Sequence, residues 1–361
     1  MTFWKIVYKI FLWNAAFFGI LSIIGGYLIS SIVLLIWKCI ESHSNFLIKG
    51  EEVLWQQKIL MTGSIMMDLI LQMPRIPHPS ESLLGTSYSN AGGGKGSNSA
   101  VAACKAGGEV SVCGTLGKDS NGEALLGMLT DIGIDVSNLT LKEGANTGMA
   151  VIMLEEDGMN RLAIYTGANN DTTPEAVDAA FEGKEYDALM MQLEIPLETN
   201  VHAFELAHER GMITCLDAGP AQDYPLERFK GLTILSPNET ETEALVGILP
   251  KDDETCIAAS KILKERSDCK YVVLKMGDKG SFIYGDDICQ MVPTFKVEAV
   301  DPTAAGDCFT GVLVKQYAET KDIVASARYA SAAAAISVQH LGAQPSLPTK
   351  EAIDEFIAAR S

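Results

Sequence analysis

From Ile59 onward, short apolar runs alternate with stretches of helical periodicity, which leaves few architectures open to the chain. The runs are ILMTGSI (59–65), EVSVCGTLG (109–117), ALMMQLEI (188–195), MITCLDA (212–218), LTILSP (232–237) and YVVLKMG (271–277). Each is continuously apolar rather than alternating, as strands covered on both faces are. Helical spacing fills the intervals at 98–106, 122–133, 201–210, 239–246 and 256–267. Strand and helix in regular succession predict a three-layer α/β domain with a mostly parallel central sheet. The rhythm breaks once, at TGMAVIMLEEDGMNRLAIYTG (147–167), where two apolar runs flank Asp157-Gly158 as in a β-hairpin. With a further strand expected at 83–91, this predicts a small β-sheet projecting as a lid or as a surface for pairing subunits.

The first forty residues follow another rule. No charge occurs from Ile10 to Trp37, a run of 28 positions, and about 20 apolar residues suffice to cross a bilayer core. Trp4, Tyr8, Trp13 and Trp37 stand near its ends, where interfacial aromatics belong. The run is too long for a signal-peptide core, so the expectation is one transmembrane helix (about 10–37). Residues 41–58 read as a polar connector, and the folded domain as 59–361, including the lid at about 83–91 and 147–167. Basic residues are nearly balanced across the run, so orientation stays open.

Acidic residues outnumber basic ones, 46 to 28, for a net charge of -18. Such a surface repels nucleic acid, and an anionic substrate has to be held by local devices. The eight cysteines contain no CxxC pair and no His at zinc-site spacing, which favours free thiols in a reducing compartment.

Two glycine-rich segments carry the chemistry. In AGGGKGSNSAVAACKAGG (91–108), glycines bring the backbone close to a ligand ahead of a helix. The segment fits neither a Walker A loop nor GxGxxG. In VDPTAAGDCFTGVLVKQYAE (300–319), Ala304, Ala305 and Gly306 open a helix whose first turn carries Asp307. Exposed amides there suit a phosphoryl group, and an ionised Asp307 could take a proton from a hydroxyl.

Together these segments resemble the two signatures of the PfkB carbohydrate kinase family. GSIMMDL (63–69), MQLEIPLE (191–198), SPNETE (236–241) and AAAAISVQHLGAQPS (332–346) resemble its ribokinase and deoxyribokinase members. The similarity runs from Ile59 to Ser361. It implies a ribokinase-like fold with a β-lid that pairs subunits into a homodimer, and ATP-dependent phosphorylation of a pentose 5-hydroxyl. It makes Asp307 the base and the amides of Ala305, Gly306 and Asp307 an anion hole. Met66, Met67, Asp68, Gly94, Lys95, Gly96, Ser97, Asn98 and Glu194 fall where the family binds sugar. Asn238 and Glu241 match its phosphate and hydrated Mg²⁺ motif. Lys275, Met276, Gly277, Asp278, Lys279 and Gly280 match its nucleotide loop, with Ser331 near the adenine. Asp301, Thr303, Ser337, His340, Gly342 and Ser346 match its site for an activating monovalent cation, usually K⁺. A need for ATP places the catalytic part in the cytosol, anchored by the N-terminal segment, or free in the cytoplasm where that segment is missing from the mature protein.

Met66 departs from the ribokinase pattern, which has an asparagine there to hydrogen-bond a hydroxyl on the C2–C3 side. A thioether offers an apolar surface instead, which favours 2-deoxyribose over ribose. Pro302 after Asp301 is a second departure. A kinase for another sugar or a nucleoside, and a catalytically silent membrane-tethered sugar sensor, remain alternatives. MQLE and GAQPS count against the first, and the intact Asp307, Gly306 and Lys95 against the second.

Overall fold

A computed structural model describes residues 46–49, 52–155 and 159–360. The expected membrane span at 10–37 lies outside the described residues. Among the described residues no helix is long and apolar enough to cross a membrane. The chain divides into two units, residues 1–56 and 57–361. In the first, β1 (Phe46–Lys49) and β2 (Glu52–Trp55) pair antiparallel, within the segment expected to be a plain connector.

The second unit contains the other elements of the described residues. In chain order they begin with β3 (Lys58–Thr62), β4 (Met66–Met73), β5 (Ser87–Gly93), α1 (Lys95–Lys105), β6 (Glu109–Gly117), α2 (Ser120–Ile132) and β7 (Asp135–Lys142). Then come β8 (Gly148–Glu155), β9 (Asn160–Tyr165), α3 (Pro174–Phe181), β10 (Ala188–Gln192), α4 (Leu197–Glu209), β11 (Ile213–Asp217) and β12 (Ile234–Leu235). The rest are α5 (Glu239–Val246), α6 (Asp253–Ser267), β13 (Tyr271–Lys275), β14 (Ser281–Tyr284), β15 (Cys289–Val292), α7 (Ala305–Thr320), α8 (Ile323–Ser337) and α9 (Lys350–Ala358).

Nine strands form the central sheet in the order β15-β14-β13-β12-β11-β10-β3-β6-β7. Pairing is parallel from β13 to β7 and antiparallel only at the β13–β14–β15 edge. Alternate residues of the central strands enter two separate cores. Ile59, Met61, Val110, Val112 and Met190 pack on one face against α1, α7 and α8. Leu60, Cys113, Leu189, Met191 and Leu216 pack on the other against α3, α4 and α6. Both faces are therefore dry, which explains the continuous apolar runs. The seven described cysteines outside residues 1–45 are all free thiols.

The lid is a separate four-stranded sheet in the order β5-β4-β8-β9. The β8–β9 hairpin and β5 lie where the sequence suggested them. The lid's central strand, β4, was not anticipated, because MMDL continues directly from an apolar run that enters the core sheet. Gly63 and Ser64 end the core strand, and the chain re-enters a second sheet at Met66.

Candidate active site

Strand order reverses at β3, with β6 on one side and β10 on the other, and such a switch point opens a crevice at the carboxyl ends of parallel strands. A cleft of about 530 Å³ lies here. Its walls bring together Asp68 of β4, Gly94, Lys95 and Asn98 at the start of α1, Glu194 after β10, and Asn238 before α5. Lys275 at the end of β13, Ala305–Asp307 in the first turn of α7, and Ser331 of α8 complete the inner side. Ala150, Ile152, Leu162 and Ile164 of the lid roof it.

Local sequence fixes these positions. Asn238 and Glu241 close a capping box at α5: Asn238 Oδ1 accepts from the Glu241 amide and Glu241 Oε2 from the Asn238 amide, both at 2.8 Å. Ala304 at φ 60° turns the chain into α7 without any side-chain cap. The Ala305 amide bonds the Pro302 carbonyl at 3.2 Å, leaving the Gly306 and Asp307 amides without acceptors among the described residues. Of the three amides expected to form an anion hole, the Ala305 amide is thus already bonded within the turn. Gly93 must lack a side chain, since a Cβ there would lie 2.1 Å from Asp68 Oδ1.

The polar groups form one cluster. Asp307 is buried; its Oδ1 accepts from Lys95 Nζ at 3.2 Å and its Oδ2 from Asn98 Nδ2 at 2.9 Å. Lys95 Nζ also lies 3.4 Å from Asp217 Oδ1 and 3.7 Å from Glu241 Oε1. Burial alone would lower the Lys95 ammonium's pKa, but Asp217, Asp307, Glu241 and Glu194 outweigh it and hold the pKa well above the usual lysine range. Lys275 pairs with Asp217 Oδ2. Burial would raise Asp217; the Lys275 and Lys95 charges prevail and keep it below the ordinary carboxylate range.

Glu194 behaves oppositely: burial, with Asp307 adding its charge, raises its pKa against the pull of Ser64 and Lys95. Its Oε2 accepts from Ser64 Oγ at 2.5 Å and from the Lys95 amide at 3.3 Å. Asp68 is pushed up to about 7 by burial and by the charges of Asp307 and Glu194. Its carboxyl accepts no hydrogen bond among the described residues, and Asn98 Oδ1 is likewise buried without a partner.

Several expected site residues turn elsewhere. Met67 points into the core, because neighbours on a strand face opposite ways. Gly96 and Ser97 serve the loop itself, the Gly96 amide donating to Ser64 Oγ at 3.4 Å and Ser97 Oγ donating to the Gly93 carbonyl. Gly277 and Gly280 line the cleft, whereas Met276 packs in the core. The Asp278 and Lys279 side chains are exposed, and Lys279 Nζ donates to the Lys251 carbonyl at 2.6 Å. Ser331 Oγ is buried and has no hydrogen-bond partner among the described residues.

The residues expected to hold a monovalent cation form a tied loop. Asp301 Oδ1 accepts from Thr303 N and Oγ1 at 2.9 and 2.6 Å, and Oδ2 accepts from the Gly342 amide at 2.8 Å. Ser337 and Ser346 share a hydrogen bond of 2.7 Å. The His340 side chain is exposed. Among the described residues no group of three or more His, Cys, Asp or Glu is placed to hold a metal ion. A cation bound by hydroxyls and carbonyls needs no such group.

Asp217, Ser64 and Thr310 escaped the sequence reading. The only available signal was an acid closing an apolar strand in MITCLDA, which looks like an ordinary strand-end cap.

A family model described as pfkB family carbohydrate kinase matches residues 56–350. Over 303 residues the chain is 33% identical to the ribokinase of Haemophilus influenzae, covering 84% of this chain and 99% of that protein. It is 32% identical over 302 residues to the deoxyribokinase of Salmonella typhi, covering 83% and 98%. It is also 35% identical over 300 residues to the bifunctional ribokinase/ribose-5-phosphate isomerase A of Fructilactobacillus sanfranciscensis, covering 82% of this chain but spanning only 55% of that longer protein. Among solved structures, Arabidopsis thaliana ribokinase complexed with ribose and ATP superposes with a TM-score of 0.76 at 28% identity, covering 84% of this chain and 99% of that one.

Proposed function

The chain belongs to the pfkB family of carbohydrate kinases, and on that premise we propose that it phosphorylates the 5-hydroxyl of a pentose, with 2-deoxy-D-ribose favoured over D-ribose. One observation carries the sugar assignment. Asn98 Oδ1 is a buried acceptor without a donor among the described residues, and the carboxyls of Asp68 and Glu194 border the same cleft. Buried acceptors left open are costly, and a polyol supplies the missing O–H groups. Relatives named ribokinase and deoxyribokinase support the same class.

Asp307 takes the proton of the 5-hydroxyl as that oxygen attacks the γ-phosphorus of ATP. The bond from this phosphorus to the β–γ bridging oxygen breaks, and ADP leaves. The Gly306 and Asp307 amides and the dipole of α7 face the phosphoryl charge. Asn238 and Glu241 would hold hydrated Mg²⁺, which supplies positive charge to the phosphates. Asp301, Thr303, Ser337, Gly342 and Ser346 would hold K⁺ and stiffen the turn into α7. The exposed Tyr88, Met159 and Tyr165 on the lid support pairing of two lids in a homodimer. Residues 10–37 would hold the domain at a membrane; recovery of the full chain only in the soluble fraction would remove that part.

The deoxyribose preference rests on Met66, which is 2% exposed and lines the cleft. Its Cγ lies 3.2 Å from where a Cβ on Gly94 or Gly148 would stand, so it packs directly on these two glycines. An apolar wall rejects an added hydroxyl by about 100-fold at most. Sugar-dependent ADP release should therefore give a higher kcat/KM for 2-deoxyribose than for ribose, reversed in Met66→Asn. A clear wild-type preference for ribose that Met66→Asn leaves unaltered would defeat this assignment.

A further inference from the structure

Asp217 has no part in the chemistry described so far, yet it joins the site's two lysines. It is buried at the end of β11. Its Oδ1 accepts from Lys95 Nζ at 3.4 Å and from the Gly219 amide at 3.2 Å. Its Oδ2 accepts from Lys275 Nζ and from Thr310 Oγ1, the latter at 3.0 Å. The Thr310 hydroxyl also lies 3.0 Å from the Gly306 carbonyl, so Asp217 is tied to the first turn of α7.

The two lysines are not equivalent. Lys95 is shared among Asp217, Asp307 and Glu241, and its charge is already matched. Lys275 pairs only with Asp217 among the described residues. An ammonium carries three N–H donors, so two of those on Lys275 remain unfilled although the residue is 8% exposed. The side chain lines the cleft, and a Cβ on Gly306 would lie 3.8 Å from its Nζ. A buried cation with open donors therefore stands beside Gly306, whose amide is free among the described residues, and lines the same cleft as the base.

We infer that Lys275 is a catalytic residue whose ammonium binds the transferring γ-phosphoryl group, and that Asp217 is the positioning residue that aims it. The inference rests on the kinase function proposed above. Charge on the phosphoryl oxygens builds in the transition state, where a fixed cation in a dry site acts most strongly. Asp217 keeps Lys275 from collapsing onto the other carboxylates and anchors it to the helix that carries Asp307.

Turnover with 2-deoxyribose and ribose, and calorimetric binding of ADP and of a non-hydrolysable ATP analogue, test this on the full chain. Lys275→Met should lower kcat by roughly 100-fold or more, the scale of one lost anion-hole donor, with little change in sugar KM. It should weaken the triphosphate analogue but leave ADP affinity unchanged, and Lys275→Arg should recover part of both losses. Asp217→Asn should act in the same direction, and the double variant should be no worse than Lys275→Met alone, as residues acting through one contact are non-additive. Near-wild-type kcat in Lys275→Met, equal loss of ADP and triphosphate binding, or additive effects in the double variant would each overturn the assignment. Absence of pentose turnover in the wild type would remove the proposed sugar instead, with the nucleotide comparison still deciding the role of Lys275.

Discussion

Asp68→Asn should make the protein more stable while weakening its hold on sugar. Burial beside Asp307 and Glu194 raises the Asp68 carboxyl from 3.8 to about 7 in the folded protein. The unfolded chain, with an ordinary carboxyl, sheds the proton first. Stability is therefore lost as pH rises from about 4 to about 7 and is level beyond. A shift of about 3 units corresponds to roughly 4 kcal/mol, and the side chain is buried enough that solvent screening removes little of it. Asparagine keeps the shape and cannot ionise, so wild type and variant should match near pH 4 and diverge by up to about 4 kcal/mol at pH 8. Titrating groups not coupled to Asp68 cancel in that difference, which leaves only its partners Asp307 and Glu194 to add to it. For a unit of this size the gain is roughly 6 °C in melting temperature. Melts of both proteins across pH 4–8 measure it. The same ionisation should make the wild-type sugar KM fall as pH rises through about 7, because a carboxylate accepts two hydroxyls. A stability difference that does not vary with pH would refute the claim that Asp68 is held protonated by its surroundings.

Asp307→Asn should preserve the melt and ATP binding while lowering kcat by about a thousandfold or more, since the base is lost; retention of more than about a tenth of wild-type turnover would exclude Asp307 as the base. Replacing Na⁺ by K⁺ should raise kcat several-fold through the loop tied by Asp301, and equal rates in both salts would remove the cation from that loop.

Much of this protein was legible from sequence because its rules are local. Continuous apolar runs announce strands buried on both faces, and Leu60 and Met61, entering opposite cores, show why no alternation appears. The two glycine segments and Asp307 could be recognised because a helix start that must approach a ligand tolerates few residue types. Edge strands were harder: β7 is half exposed, and the β14–β15 hairpin is too short to leave a periodic signal. Only the tertiary structure decided which residues of a motif face the cleft. Met66 and Met67 are chemically alike, and the sheet that β4 joins sends one to the cleft and the other to the core. It alone paired Asp217 with Lys275, 58 positions away, and set Asp68 among charges that raise its pKa. Burial and Coulomb interaction depend on distances through the fold, and spacing along the chain does not encode those distances.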